Sequence, residues 1–225
     1  MSLLSEVTPE QILIHGNDLS ELMRQQSFAD MICLLWRGNT ATPAERRVID
    51  AILCSSVLHT DNSPSIVAAR TVALTGGDLP SVLAAGTLAM GANHGGVVEK
   101  LSKLLQENVH KGDDPEECAN AILSNAKALK QRIPGYGHLL HPADPRTVAL
   151  FTVMRETGCY GVYCATAEAI ERKLTSVSSR PLPLNITGAI AAAISDLGFE
   201  WRIGTAFFVI SRMVGMAAHY REINS

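Results

Sequence analysis

The sequence lacks several features that would assign it at once to a large class of proteins. Aromatic residues make up only 5% of the 225 residues and the formal net charge is −3. Both values argue against a surface for nucleic acid, and the charge also argues against attraction to an anionic membrane. No apolar run approaches the ~20 residues that a membrane-spanning helix requires. The N-terminal residues 1–11 show no basic start followed by an apolar stretch, so no signal peptide is predicted.

Cysteine is scarce and no Cys-x-x-Cys pair occurs. The scattered thiols suit neither a disulfide framework nor a zinc site, so we expect reduced, mostly buried cysteines in a cytoplasmic protein. The sequence also lacks a GxSxG elbow, a P-loop, a Rossmann fingerprint and the HExxH pair of zinc enzymes. It therefore predicts no metal site. The five cysteines are Cys33, Cys54, Cys118, Cys159 and Cys164.

What the sequence does contain is helical periodicity over nearly its whole length. Thr42-Pro43-Ala44-Glu45 is typical of a helix start, with Thr42 as the cap and proline in the first turn. A strand signal is present at Ile12–Ile14 at most, so we predict an all-α fold. The predicted helices cover residues 17–36 (interrupted near Ser27), 42–57, 65–74, 80–90, 97–110, 114–130, 145–157, 160–175, 187–196 and 201–221.

Two polar, flexible stretches suggest how the helices are grouped. Residues 110–115 and 176–183 are rich in charge, glycine, serine or proline. The segment between them is predicted to be a smaller lobe, residues 111–183. The larger lobe is then discontinuous and consists of residues 1–110 and 184–225.

The motif GANHGG, residues 91–96, places His94 just before or inside the first turn of a helix. Glycines on both sides let a ligand approach the backbone, and the positive end of a helix disfavours an imidazolium ion. A neutral histidine there is able to donate a hydrogen bond to a developing oxyanion, as in triosephosphate isomerase. The simpler interpretation is a turn histidine that caps a helix.

The stretch IPGYGHLLHPADPR, residues 133–146, is unsuited to a helix or a strand because it holds three prolines and two glycines. It carries His138 and, eight residues later, Arg146. Arginine binds carboxylates through two parallel hydrogen bonds, and histidine donates to carbonyl oxygens. This combination suits a substrate with both groups. A proline-rich linker whose Asp-Pro-Arg starts the next helix is the alternative.

Other candidate residues carry weaker signals. His59 lies at a helix break, where histidines are usually structural or solvated. Lys127, Lys130 and Arg132 form a basic helix end that suits phosphates, although a solvated helix face explains such a run more often. No chemistry is assigned to the remaining histidines, which are His15, His110, His141 and His219.

Several stretches, taken in order, resemble the citrate synthase family. SFADMICLLWRGNTATPAERRVIDAIL (27–53) resembles its N-terminal region, GANHGG its His-Gly-Gly loop, and PGYGHLLHPADPR its central signature. LNITGAIAAAISDLGF and FFVISRMVGMAAHY resemble its C-terminal helices. The short length, and Leu139 where many citrate synthases have an arginine, point to the citryl-CoA lyase branch, which includes the lyase module of ATP-citrate lyase. The resemblance implies a citrate synthase-like multi-helix fold with a large lobe and a smaller inserted lobe.

The resemblance also implies carbon–carbon bond chemistry between an acyl-CoA and a 2-oxo acid through an enol intermediate. By position, His94 matches the histidine that stabilises the thioester enol oxygen. His138 matches the one that hydrogen-bonds the oxaloacetate carbonyl or the citryl hydroxyl. His59 loosely matches a further substrate histidine, and Arg146 and Arg212 match arginines that bind substrate carboxylates.

The implied partners are small molecules and copies of the same chain. Lys127, Lys130 and Arg132 are then expected to contact the phosphates of coenzyme A, which is part of the substrate and not a permanently bound cofactor. The family also works as homodimers or larger symmetric assemblies, so we expect a homo-oligomer, with neither nucleic acid nor membrane as a partner.

One departure from the family bears directly on catalysis. The family has Asn, a hydrophobic residue and then a catalytic aspartate, whereas this sequence has Asn185, Ile186 and Thr187. Threonine also caps helices well, so the structural role is expected to be kept and the acid–base role lost. Two interpretations stay open: an enzyme of the citryl-CoA lyase or citrate synthase type in which another group moves the proton, or a homologue that binds CoA thioesters and carboxylates with impaired catalysis.

Overall fold

A computed structural model describes residues 4–138 and 141–225, and in this part of the chain α-helices dominate, so the predicted fold class is confirmed. None of the helices described combines the length and apolarity needed to cross a membrane. The helices are α1 Leu19–Gln25, α2 Phe28–Arg37, α3 Pro43–Ser55, α4 Pro64–Leu74, α5 Leu79–Leu88, α6 Val97–Asn108, α7 Pro115–Ala128, α8 Pro145–Glu156, α9 Val162–Val177, α10 Ile186–Asp196 and α11 Gly204–Ile223, with a 3-10 turn at Trp201–Ile203.

Local capping chemistry explains where the first long helices begin. The Ser27 side chain accepts from the amide of Asp30 while the Asp30 carboxylate accepts from the amide of Ser27, and this capping box separates α1 from α2. Thr42 and Glu45 form the same reciprocal pair at the start of α3. Both satisfy amide donors that the first turn of a helix leaves unpaired. The predicted break near Ser27 and the predicted start at Thr42 are confirmed.

A small antiparallel sheet precedes the helices. Its strands are β1 Ser5–Val7, β2 Ile12–Ile14 and β3 Asn17–Asp18, paired in the order β1-β2-β3. Only the central strand is indicated by the sequence, because its three residues are all apolar and β-favouring, whereas Ser5–Val7 and Asn17–Asp18 are mostly polar. The turn between β2 and β3 depends on His15 and Gly16, which both have positive φ.

The buried apolar residues form two clusters of unequal size. The larger one contains residues of α2, α3, α6, α7, α8, α9 and α10. Among them are Leu101 of α6 and Cys118 and Ile122 of α7. The smaller one brings α4, α5 and α11 together around Ile66, Val82 and Met216. Residues 111–183 therefore share a core with the rest of the chain, and their separation as a smaller lobe stays a prediction.

Candidate active site

The GANHGG motif folds into a tight loop that is closed on itself. The amide of Gly91 donates to the carbonyl of His94 and the amide of His94 donates to the carbonyl of Gly91, each over 2.9 Å. Gly95 has a φ of +87°, and a Cβ there would lie 2.9 Å from Cδ1 of Phe208. Only glycine fits this conformation and this close contact, so Gly95 lets the loop lie directly against Phe208. The neighbouring His94 ring then packs on the Phe208 ring, with 5.3 Å between the ring centroids.

The proton of His94 is placed by Ser65, at the start of α4. Nε2 of His94 lies 2.8 Å from Oγ of Ser65 and accepts a longer bond, 3.4 Å, from the Ser65 amide. An amide only donates, so Nε2 must be the acceptor and a neutral ring carries its proton on Nδ1. Burial lowers the pKa of His94, and the charge of Arg212 lowers it further. The neutral ring thus has Nδ1–H as its donor.

Backbone hydrogen bonds fasten the PGYGH loop to the segment that leads into α10. The amide of Gly137 donates to the carbonyl of Pro183 over 2.7 Å, and the amide of Asn185 donates to the carbonyl of Gly135 over 2.9 Å. Gly135 has a φ of +87°, and a Cβ there would lie 2.9 Å from the Cα of Gly188. The glycines of the motif therefore permit two backbones to touch, which brings the His138 loop against the start of α10.

His138 takes the opposite proton arrangement to His94. Its Nδ1 accepts from the backbone amide of His141 over 3.1 Å, so the neutral ring carries its proton on Nε2. Nε2 lies 3.9 Å from Oδ2 of Asp144 and 3.5 Å from Nη2 of Arg146, a distance at the outer limit for a hydrogen bond. The shorter amide bond to Nδ1 therefore decides the tautomer. Burial lowers the pKa of His138, and Asp144 partly opposes that shift. This nitrogen faces the guanidinium that is proposed to bind substrate.

Asp144 connects three parts of the site, although the sequence marks it only as the start of a helix. Its carboxylate is 1% exposed. It accepts from Nε, Nη2 and the amide of Arg146 over 3.0, 2.8 and 3.1 Å. It also accepts from the amide of Ile186 over 2.9 Å, which ties α8 to the first residue of α10. Burial alone raises the pKa of Asp144, but the hydrogen bonds and charge of Arg146 bring it below its usual value.

Arg212 on α11 is the second arginine of the site and differs sharply from Arg146. It is 2% exposed, and its Nη1 donates to Oγ of Ser63 over 3.2 Å. Its guanidinium lies 5.0 Å from the ring centroid of Phe208. Within residues 4–138 and 141–225 it has no carboxylate partner within 4.0 Å and its Nε is buried without a hydrogen bond. Burial, followed by repulsion from Arg146, lowers the pKa of Arg212 to about 10.

His59 joins the same group from the loop before α4. Its ring packs edge-on against His138 with 5.5 Å between centroids. Desolvation by neighbouring side chains lowers the pKa of His59, and the charges of Arg146, His138 and Arg212 contribute in the same direction. His141, to which the sequence assigns no chemistry, also packs against His138, with a centroid separation of 4.7 Å. The His-x-x-His spacing of HLLH is the signal that could have identified it.

The start of α10 differs from the expectation in one respect. Asn185, and not Thr187, is the cap, because Oδ1 of Asn185 accepts from the amide of Gly188 over 3.1 Å. Thr187 is the second residue of the helix, and its hydroxyl donates to the same Oδ1 over 2.6 Å. The expectation that Thr187 caps the helix is therefore wrong: the short amide side chain of Asn185 already occupies that role. The Thr187 proton points into the cap.

A cavity of ≈ 960 Å³ opens beside His138 between the ends of α7 and α9. Among the cations expected to contact coenzyme A, Lys127 and Arg132 line it, whereas Lys130 lies outside its lining. The cavity also has basic side chains that sequence reasoning did not select, because they lie on α9 or in the loop predicted to be extended. These are Lys173 and Arg180. Leu139, whose identity pointed to the lyase branch, lies outside the described residues.

Known proteins resemble this chain over most of its length. The family model for the citrate synthase C-terminal domain matches residues 14–225. The solved structure of citryl-CoA lyase from Hydrogenobacter thermophilus superposes with a TM-score of 0.89 at 36% identity, covering 99% of this chain and 86% of that one. The ATP citrate lyase of Methanothrix soehngenii, solved with citrate and coenzyme A, has the same fold, with a TM-score of 0.82 at 22% identity over 99% of this chain and 38% of that one.

Curated relatives are longer than this chain. A probable ATP-citrate synthase of Dictyostelium discoideum is 28% identical over 93% of the chain, but the match spans 36% of that protein. For a citrate synthase of Acidithiobacillus ferridurans the identity is 26% over 92% of the chain and 54% of the relative. The chain thus spans about a third to a half of the length of these relatives.

Proposed function

Because the chain belongs to the citrate synthase family, we propose that it acts on a citryl-CoA-type thioester and cleaves, or in reverse forms, the bond between an acetyl-CoA unit and oxaloacetate or a related 2-oxo acid. The similarity to a citryl-CoA lyase at 36% identity supports the lyase direction. The site supports the proposal through two neutral histidines with protons on opposite nitrogens and two arginines near them.

In the cleavage direction, the citryl hydroxyl transfers its proton to a base other than Nε2 of His138, which already carries one, and the hydroxyl-bearing carbon becomes the carbonyl of the 2-oxo acid. The bond from that carbon to the thioester α-carbon breaks, and its electron pair forms the thioester enolate. Nδ1–H of His94 donates to the enolate oxygen, and Nε2–H of His138 donates to the oxygen that becomes the carbonyl. The proton gained at the α-carbon equals the one lost from the hydroxyl, so the overall reaction is balanced without water or cofactor.

The observation that carries the proposal is the state of Arg212. A guanidinium that is 2% exposed normally has a carboxylate nearby, since an unpaired buried charge is expensive. The described residues give Arg212 no such partner, and it perturbs the pKa of both His94 and His59. A polycarboxylate bound between these residues would supply the missing negative charge where the histidines are placed to act.

The cavity beside His138 is the proposed place for coenzyme A. Its volume of ≈ 960 Å³ suits a large ligand, and its wall joins His138 to Lys127 and Arg132. Arg180, an exposed residue, also lines the cavity and is added to the residues proposed to bind phosphate. Lys130 is retained only as a contributor to the positive field.

The family's symmetric assembly is also proposed for this chain. Val67 and Leu74 on α4 and Leu88 on α5 are large apolar side chains that are 47%, 68% and 85% exposed. A second copy covering this surface would remove them from water. Light scattering on the purified protein tests the assembly, and a monomer at micromolar concentration would contradict it.

The experiment that tests the reaction mixes the purified protein with citryl-CoA and follows oxaloacetate through its reduction by NADH in a coupled assay. We expect product formation whose rate falls by about 10²–10³ in His94→Gln and is unchanged in His110→Gln, at an exposed histidine outside the site. Calorimetry with citrate and coenzyme A is run in parallel. Binding without turnover would replace the enzyme by the binding homologue, and neither binding nor turnover would overturn the proposal.

Thr187 decides how the α-carbon receives its proton. A threonine hydroxyl titrates far outside the physiological range, and here its proton is directed to Asn185. We therefore propose that another group moves this proton. Deuterium exchange from solvent into acetyl-CoA measures the step directly. Exchange that is rapid in the wild type and unchanged in Thr187→Asp supports the proposal, whereas exchange that appears only in Thr187→Asp shows that the step has been lost with the aspartate.

A further inference from the structure

Three histidines meet at one edge of the proposed site. A ring nitrogen of each of His59, His138 and His141 lies within 4.8 Å of the corresponding nitrogens of the other two. We propose that these residues form a binding site for a divalent transition-metal ion of the zinc type. Imidazole is a preferred ligand of such ions, and three histidines with one open position form a common zinc coordination set.

The geometry needs only modest adjustment to close on an ion. Zinc–nitrogen bonds of about 2.0–2.1 Å in a tetrahedral arrangement place ligand atoms roughly 3.4 Å apart. The rings are already packed together, with centroid separations of 5.5 Å for His59 and His138 and 4.7 Å for His138 and His141. His59 is exposed and lies in the loop between α3 and α4, so rotation of its side chain displaces no core residue.

A buried carboxylate, that of Asp144, borders the cluster. Coordination through Nδ1 of His138 would replace the bond from the His141 amide and would leave Nε2–H beside Oδ2 of Asp144, 3.9 Å away. A carboxylate near the second nitrogen often accompanies a metal-bound histidine.

Charge limits the affinity without abolishing it. The carboxylate of Asp144 accepts three hydrogen bonds from Arg146 and so balances the cation nearest to the cluster. Arg212 has no such balance among the described residues, so it opposes a bound cation.

If the proposed function holds, zinc competes with the substrate for the same site. An ion held by His59 and His138 covers the side chains that are proposed to contact the 2-oxo acid. Zinc is then an inhibitor that binds at the substrate end of the site. His141 takes no part in the proposed substrate contacts, so it separates metal binding from substrate binding.

The test is calorimetric titration of the full chain with zinc chloride in a non-chelating buffer, after treatment with a chelator. We expect one ion per chain. His59→Gln and His141→Gln should each weaken binding at least about tenfold, since loss of even an outer-sphere partner commonly costs 10–100-fold. His110→Gln is the matched control and should bind zinc as the wild type does. Thermal unfolding of each variant verifies that it is folded.

A second readout identifies the ligands. Cobalt(II) replaces zinc in such sites, and a four-coordinate nitrogen site gives much stronger visible absorption than hexa-aqua cobalt. We expect these bands in the wild type and their loss in His141→Gln. Absence of stoichiometric zinc binding, or equal affinity in all three variants, would overturn the metal site. Failure of citryl-CoA turnover with zinc binding intact would overturn only the proposed function.

Discussion

The His94 side and the His138 side of the site use the same device with opposite results. In each, a backbone amide donates to one ring nitrogen, so the neutral ring keeps its proton on the other nitrogen. The amide of Ser65 acts on Nε2 of His94, and the amide of His141 acts on Nδ1 of His138. His94 is thus a donor through Nδ1 and His138 a donor through Nε2.

The two sides differ in their charge. His94 lies between Ser65 and the Phe208 ring, and its neutral state rests on burial and on the nearby Arg212. His138 lies beside the buried ion pair of Asp144 and Arg146. Under the proposed function, the His94 side would meet the thioester group and the His138 side the carboxylate-bearing 2-oxo acid.

The largest expected effect is a loss of kcat on replacing either of the two histidines. His94→Gln removes a donor placed for the enolate oxygen, and loss of one such donor lowers kcat by about 10²–10³. His138→Gln should reduce kcat by a similar factor if the two sides are equivalent donors. Steady-state cleavage of citryl-CoA measures both. A change below tenfold in either variant would show that the corresponding side is not an oxyanion donor.

The two arginines should respond with opposite signs in stability. Arg146→Met leaves Asp144 buried without its partner and should lower the free energy of unfolding by roughly 3–5 kcal/mol. Arg212→Met removes an unpaired buried cation and should raise that free energy by about 1 kcal/mol. Citrate affinity should fall at least about tenfold in both, because each loses a charge-assisted contact.

Urea unfolding and calorimetry of the same two proteins provide the measurements. Destabilisation by Arg212→Met would mean that this arginine already has a stabilising partner in the free protein. Unchanged citrate affinity in Arg212→Met would remove the main support for the proposed function.

Substitution of two glycines by alanine tests the close contact between the PGYGH loop and the start of α10. Gly137→Ala introduces only the strain of a left-handed residue, about 1–2 kcal/mol, because the nearest atom to its new Cβ is 3.7 Å away. Gly135→Ala adds a clash with the backbone of Gly188 and should cost roughly 1–3 kcal/mol more. Thermal unfolding compares the two. Equal losses would show that the loop and α10 are not held in contact.

Ser65→Ala should have a smaller effect on the His94 side. It removes the hydroxyl at 2.8 Å from Nε2 but keeps the amide that places the proton. Loss of one hydrogen bond of about 0.5–1.5 kcal/mol predicts a fall in kcat of a few-fold. A loss as large as that of His94→Gln would show that the hydroxyl, and not the amide, controls the ring.

The smallest expected change is in the pH dependence of the free energy of unfolding. The pKa values of His59, His94 and His138 are lowered in the folded chain, so the unfolded chain binds protons first as the pH falls. Stability present above about pH 6.5 is therefore lost as the pH falls through the lower folded-state values. Urea unfolding at several pH values in this range gives the free energy of unfolding as a function of pH. This free energy should depend less steeply on pH in His94→Gln, and an unchanged pH dependence would contradict the lowered pKa of His94.

Most of the helical framework follows from local patterns. The Ser27 and Thr42 caps and the apolar periodicity locate α2 and α3 closely, because capping and helix formation depend on residues within a few positions. The short strands at Ser5–Val7 and Asn17–Asp18 do not follow, since pairing across a turn decides them. Thr187 is misplaced for a similar reason: Asn185 two positions earlier satisfies the same amide donors.

The sequence by itself determined an all-α chain, its main helix starts and the motifs that resemble the citrate synthase family. Only the tertiary structure decided which nitrogen of His94 carries a proton, since Ser65 is 29 residues away. It also decided that Asp144 joins Arg146 to the start of α10, that Arg212 stays unpaired among the described residues, and that His141 meets His59. Helices are stabilised by bonds between near neighbours, whereas the site consists of contacts between distant segments that only packing of the core brings together.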